Sequence, residues 1–118
     1  MPKVILIFPE LYDMNLVSKS SARCNFAPPL GILTLAGVLL ENGIKVSIID
    51  QRIEPSWRET LNKEVQEKPL FVGISTLTSM QIRRGLEIAG FIKTHWDIPI
   101  VWGGVHPTLE PVSTAKHK

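Results

Sequence analysis

Two strand-like runs in this chain end in groups able to hold a ligand. Residues 71–79, FVGISTLTS, pass from apolar residues into the hydroxyls Ser75 and Thr76. Residues 98–108, IPIVWGGVHPT, stop abruptly at the adjacent glycines Gly103 and Gly104. A hydroxyl at a strand end offers a hydrogen bond where the strand's own amides are already paired. Adjacent glycines let the backbone turn with no side chain in the way, so a flat group can lie directly against it. These are binding groups rather than reacting ones. The plain alternatives are that Ser75 caps a loop and that Gly103-Gly104 is a tight turn without a ligand.

Other candidate chemistries fail on their neighbours. Asp50 closes a strand where a dinucleotide fold places its ribose-binding acid, but the first strand runs into FPELYDMN, which has no Gly-rich turn for a pyrophosphate. Asp50 is then a surface acid or the cap of its own turn. No Gly-Lys-Ser/Thr follows the first strand, so a phosphate-loop NTPase is excluded too. A receiver-type metal site needs paired acids at the first strand's end, and Glu10 stands there alone beside Pro9. A hydrolase needs glycines flanking its nucleophile, and ISTLT has none around Ser75. His95, His106 and His117 share no metal-ligand spacing, and only His106 stands at a strand end. Cys24 is the only cysteine, which excludes an internal disulfide or a cysteine-built cluster from this chain alone, and it reads as a reduced loop thiol.

The elements that must position these groups alternate in type. Lys3–Phe8 is a nearly continuous apolar run, as in a parallel strand buried on both faces. A long polar connection follows over residues 9–27. Connections after strands in such units are short, so a loop of this length is expected to be functional or partly disordered. Pro28 and Pro29 open a helix over residues 30–41 that ends at Asn42-Gly43, glycine supplying the left-handed cap. That helix is apolar on most faces, as expected of one buried against a sheet, and Gly31, Ala36 and Gly37 would permit close approach. Residues 45–49 form the second strand.

Ser56 and Glu59 make a capping-box pattern for a helix striped by Trp57, Leu61 and Val65. Its end, Glu64, Glu67 and Lys68, reads as solvated surface. Residues 70–74 form the third strand. Thr78 and Gln81 repeat the capping pattern for a helix ending near His95. Along it Ile82, Leu86 and Ala89 are expected to face the core, with Arg83, Arg84, Glu87 and Lys93 outward. Residues 98–102 form the fourth strand. The order βαβαβαβ implies an α/β fold, a flavodoxin-like or Rossmann-like parallel sheet with helices on both faces; two strand orders are common for such a sheet, and 2-1-3-4 is the one expected here. The domain is expected to span residues 1–110 with a tail at 111–118 and to stop one βα unit early, which would leave the fourth strand at risk of being an open edge.

Length and composition agree with one domain: 118 residues, 44% hydrophobic and 20% charged. Thirteen basic and eleven acidic residues are scattered without a basic stripe, which argues against a nucleic-acid partner. The longest apolar run, residues 30–40, is broken by Gly31, Thr34 and Gly37, so no membrane span is expected. The first residues are too short for a signal peptide and lead into proline and acids, which leaves the cytoplasm as the expected location.

Taken together, Ser75-Thr76-Leu77, 25 further residues and then Gly103-Gly104 resemble the Ser-x-Leu and Gly-Gly parts of the cobalamin-binding domain signature. The segments PPLGILTLAGVLLENGIKVSIID, VGISTLT and IPIVWGGVHPT resemble more closely the N-terminal cobalamin-binding domain of class B radical SAM enzymes. That resemblance implies a corrin on the carboxyl edge of the sheet with its nucleotide tail threaded into the domain. Ser75 would bond a nitrogen of the buried base. Thr76, Leu77 and Val105 would line the groove over Gly103 and Gly104, His106 would shape the adjoining loop, and Gly31 keeps the glycine of the approach to the first helix. The Asp-x-His-x-x-Gly motif of the methionine-synthase type of cobalamin domain is not kept: the equivalent approach reads Phe26-Ala27-Pro28-Pro29-Leu30-Gly31, so no lower-axial histidine is expected, as in the radical SAM branch that the chain resembles.

The implied role is a cofactor domain in a methyltransferase-like radical SAM enzyme. The iron–sulfur cluster and S-adenosylmethionine would belong to a radical SAM domain in cis or in trans, because one cysteine cannot hold a cluster. The competing class is a flavodoxin-like binding or interaction module that takes no cobalamin.

Overall fold

The computed structural model describes residues 2–10, 29–76 and 80–116. Strands β1 (Lys3–Phe8), β2 (Lys45–Asp50), β3 (Phe71–Ser75) and β4 (Ile100–Gly103) form one parallel sheet in the order β2-β1-β3-β4. Helices α1 (Leu30–Glu41), α2 (Trp57–Glu64) and α3 (Met80–His95) join them, and two short helices follow, α4 (Val105–Leu109) and α5 (Pro111–Lys116). The expected α/β architecture and strand order are therefore present.

Strand β1 is central because it can be buried on both faces: Val4, Ile5 and Ile7 are fully inaccessible. Its alternate residues feed two cores. Ile5 and Ile7 join Ile49, Val72 and Ile74 beneath α2 and α3, where Trp57, Leu61, Val65, Ile88 and Ile92 close over them. Val4 and Leu6 meet Ile32 and Ala36 of α1 on the other face. The expected stripe Trp57, Leu61 and Val65 holds. Phe91 meets the edge of Trp57 at 5.5 Å between ring centroids, which joins α3 to α2.

Helix α1 ends as its Asn-Gly predicts. Gly43 takes φ +76, its N–H donates to the Leu40 carbonyl at 3.1 Å, and the Ile44 N–H reaches the Leu39 carbonyl at 3.0 Å. This is a Schellman closure, with Leu39 and Ile44 both packed on the α1-side core. The rest of α1 departs from expectation. Only Ile32 and Ala36 are buried, while Leu30, Leu33, Leu35, Val38 and Leu40 are exposed. A helix meets a sheet along one stripe, and no other described element covers its remaining sides. Gly31 and Gly37 do not serve close approach either, since a Cβ at each would meet no atom within 4 Å.

Three further expectations are corrected. Ser56 makes no side-chain cap bond; its carbonyl instead accepts the Thr60 N–H at 3.2 Å. The core stripe of α3 is Gln81, Gly85, Ile88 and Ile92, one position out of phase with Ile82, Leu86 and Ala89, which are half-buried. A polar residue and a glycine occupy half of the true stripe, so it does not register as hydrophobic. Glu64 and Glu67 are not plain solvated surface. Both pair with Lys3, whose side chain is fully buried at the start of β1, and the Ser47 hydroxyl donates to Glu64 at 2.7 Å. Bonds from Lys3 and Ser47 hold the Glu64 carboxyl below the usual carboxylate range. Lys45 bonds Glu67 at 2.8 Å, and this contact lowers the Glu67 carboxyl and raises the Lys45 ammonium.

Candidate functional site

Ligands of open parallel sheets bind beyond the carboxyl ends of the strands. Two distinct constructions stand there. The first closes the ends of β1 and β2. The Asp50 carboxylate accepts the Arg52 backbone N–H at 3.0 Å and holds the Arg52 guanidinium through both oxygens, at 3.0 and 2.7 Å. Arg52 also lies over the Phe8 ring, 4.4 Å from its centroid. Asp50 is thus the cap of its own turn, one of the two roles read from its position, and it is committed to a neighbouring cation. Glu10 receives Arg84 of α3 at 3.4 Å, and its N–H donates to the Gln51 side chain at 2.8 Å. Gln81, fully buried in the first turn of α3, donates to the Pro9 carbonyl at 3.0 Å. Helix α3 is therefore tied directly to the end of β1.

The second construction joins β3 to β4 and contains the two sequence segments singled out above. Ser75 pairs with Gly103 in the ladder, and the Thr76 N–H donates to the Gly103 carbonyl at 2.9 Å. Gly104 then turns the chain with φ +95. A Cβ on Gly104 would stand 2.8 Å from the Thr76 oxygen, 2.9 Å from the Thr76 nitrogen and 3.0 Å from the Ser75 hydroxyl. Only a residue without a side chain fits there. Gly103 is different, because a Cβ on it would meet nothing within 4 Å.

The pleat decides which face each residue serves. Ile74 and Trp102 belong to the α2–α3 side, so Ser75 and Gly103 stand side by side on the α1 face. Helix α1 packs over β1 and β2, which leaves this β3–β4 corner of the sheet uncovered by described residues. The Ser75 hydroxyl bonds no group among the described residues. A hydroxyl, an open glycine and a turn closed to side chains together make a shelf that a flat, polar-edged group can occupy. Thr76 points the other way. It is buried against α3 and borders a cavity of about 650 Å³ between α3, β4 and α5, lined also by Leu86, Lys93, Ile100 and Trp102.

The other expected site residues lie as follows. Val105 and His106 open α4, immediately after the turn. Leu77 and the capping residue Thr78 lie outside the described residues, as do Cys24, the long connection over residues 11–28 and His117. Gly31 sits in the first turn of α1 with open space around it. Among the described residues no three histidine, cysteine, aspartate or glutamate side chains are grouped to hold a metal, and no helix is long and apolar enough to cross a membrane. Sequence reasoning missed Gly85 of α3, whose missing side chain lets Trp102 and Thr76 pack against the helix. Its signal was available: an isolated glycine inside a helical pattern commonly marks a packing contact.

No curated protein and no solved structure matches the chain. The family model described as the B12 binding domain matches residues 23–118, a span that includes the Ser75–Gly104 shelf and every element from α1 onward. With four parallel strands in the order 2-1-3-4 and the shelf at their carboxyl edge, the chain belongs to the B12-binding domain family.

Proposed function

We propose that this domain binds cobalamin with its nucleotide tail laid along Ser75 and Gly103 on the α1 face, and presents the corrin to a radical SAM domain held in the same chain or in a partner. The observation that carries the reading is the contrast at the β4 turn. Gly104 is closed to any side chain by the Thr76 backbone, whereas the Cβ direction of Gly103 is open beside a hydroxyl that bonds no group among the described residues. In this reading Ser75 bonds a nitrogen of the tail's base, so that neither polar atom is left unsatisfied when the tail is bound. Thr76, Leu77, Val105 and His106 belong to the same edge by sequence position, and Gly31 marks the approach to α1.

Cobalamin held there would supply a transferable methyl group. This chain's own residues bind and orient the group and keep the tail out of water. Residues 26–31 offer no histidine to the lower face, and the single cysteine leaves the iron–sulfur cluster and S-adenosylmethionine to the radical SAM domain. A reducing cytoplasmic setting suits that chemistry.

Titration with hydroxocobalamin followed by gel filtration tests the assignment: the visible spectrum of the corrin is expected to travel with the folded protein. After reduction to Co(II), the electron paramagnetic resonance spectrum is expected to lack axial nitrogen splitting, since the tail base is withdrawn and no histidine replaces it. A protein peak free of corrin would sink the reading and leave a flavodoxin-like module with no cobalamin.

A further inference from the structure

Behind the shelf, on the opposite face of the sheet, lies a contact that includes Thr76 but neither Ser75 nor Gly103. Gly85 is buried in the middle of α3, where glycine weakens a helix relative to alanine and so needs a reason. A Cβ there would stand 2.9 Å from Cζ3 and 3.3 Å from Cη2 of Trp102, and 3.2 Å from the Thr76 methyl. The benzo ring of Trp102 and the Thr76 side chain therefore fill the space that a side chain on Gly85 would take. Both belong to the shelf's own backbone: Trp102 precedes Gly103, and Thr76 follows Ser75. Thr76 is also the residue whose main chain closes Gly104 at 2.8 and 2.9 Å.

We infer that Gly85 is a positioning residue for the cofactor shelf, setting how deeply Thr76 and Trp102 seat against α3 and thereby holding Ser75, Gly103 and Gly104 in register. The inference rests on the cobalamin reading for its functional consequence, but its structural half stands on this packing alone. Helix α3 cannot yield easily at this point, because one turn earlier Gln81 is buried and bonded to the Pro9 carbonyl at 3.0 Å. A methyl at position 85 displaces Thr76 and Trp102 rather than the helix. Displacing Thr76 stretches its N–H bond to Gly103 at the junction the tail lies on.

The test is a double-mutant cycle on the full chain, with Gly85→Ala, Trp102→Phe and their combination. Gly90→Ala is the control, since a Cβ at that position of the same helix meets nothing within 4 Å. Two readouts are taken: the hydrogen-exchange rate of the Thr76 amide by nuclear magnetic resonance, and the dissociation constant for hydroxocobalamin. G85A is expected to speed Thr76 exchange and to weaken cobalamin binding, each about tenfold. Phenylalanine removes the ring atoms that the new methyl strikes, so G85A/W102F is expected to return both values to within about threefold of wild type. G90A is expected to change neither.

Thr76 exchange in G85A no faster than in G90A, or no recovery in the double variant, overturns the proposal. Should G85A fail to fold, W102F alone decides: loss of the packing is expected to raise both values at least about threefold, and unchanged values overturn it. A wild-type protein that binds no corrin would refute the cofactor reading, while the exchange rates would still decide the role of Gly85.

Discussion

Three glycines of this chain separate two costs that substitution usually mixes. Gly43 has φ +76 and open space around its Cβ direction, so Gly43→Ala carries only a conformational penalty, about 1–2 kcal/mol. Gly104→Ala carries a similar backbone penalty at φ +95 and adds a clash with the Thr76 main chain at 2.8 and 2.9 Å. Backbone atoms cannot swing aside as a flexible side chain does, and overpacking of this kind costs about 1–3 kcal/mol more. Gly103→Ala meets neither obstacle, because its Cβ has no neighbour within 4 Å and its φ is not positive, so its effect on folding stays within about 0.5 kcal/mol.

Thermal melts of the apo proteins read the order directly. At roughly 3–5 °C per kcal/mol for a chain of this size, G43A is expected to melt about 5 °C below wild type and G104A about 10 °C or more below. G103A should be within about 2 °C of wild type. Cobalamin titration then separates fold from site: Gly103→Leu fills the open shelf beside Ser75 and is expected to lose corrin while its apo melt stays close to that of G103A. A G104A protein as stable as G43A would refute the closure of the turn by Thr76. A G103L protein with full affinity would place the tail elsewhere.

The charged cluster under β1 gives a pH prediction. The Glu64 carboxyl is held low by Lys3 and Ser47, so its contribution to stability is complete above the unfolded-state value near 4.5 and disappears as pH falls through the lower folded value. Glu64→Gln is expected to cost about 1–2 kcal/mol at pH 7, and the gap to wild type should close in urea melts on acidification below about pH 4. A gap of constant size across that range would assign the loss to packing instead. Among apolar positions, Ile88→Ala should cost about 2–5 kcal/mol because Ile88 is fully buried, whereas Leu35→Ala on the exposed side of α1 should stay within about 0.5 kcal/mol. Denaturant midpoints check both, and a large loss at Leu35 would show that this side of α1 is covered in solution.

The element types and the C-terminal stop of α1 were legible because they depend on local pattern. The β-branched run at Lys3–Phe8, the Asn42-Gly43 stop and the alternation of element types each follow from the chemistry of a few neighbouring residues. The meeting of Ser75 with Gly103 followed in turn, since parallel strands of equal depth bring their carboxyl ends together. What escaped depended on partners distant in sequence. Lys3 reads as an exposed strand start until Glu64 and Glu67 arrive some sixty residues later to neutralise it in the interior. Helix α3 reads one position out of phase because Gln81 and Gly85 hide half of its buried stripe. The difference between Gly103 and Gly104 is invisible in two identical letters, since it lies in one dihedral angle and in where the Thr76 backbone passes.

The central position of β1 also bears on how the chain is made. Its apolar residues are synthesised first, yet Val4 finds its neighbours only when Val46 and then Phe71 have emerged. At about 5–20 residues per second, the interval between Val4 and Phe71 is roughly 3–13 s. Until Val46 emerges this apolar segment has no strand to pair with, and until Phe71 emerges only one of its two edges is paired. Parallel pairing requires a crossover between partners, so no hairpin can shelter the strand in the interim. Completion of the sheet around β1 on the ribosome therefore waits on β3, because the second edge of residues 3–8 has no partner before that strand leaves the exit tunnel.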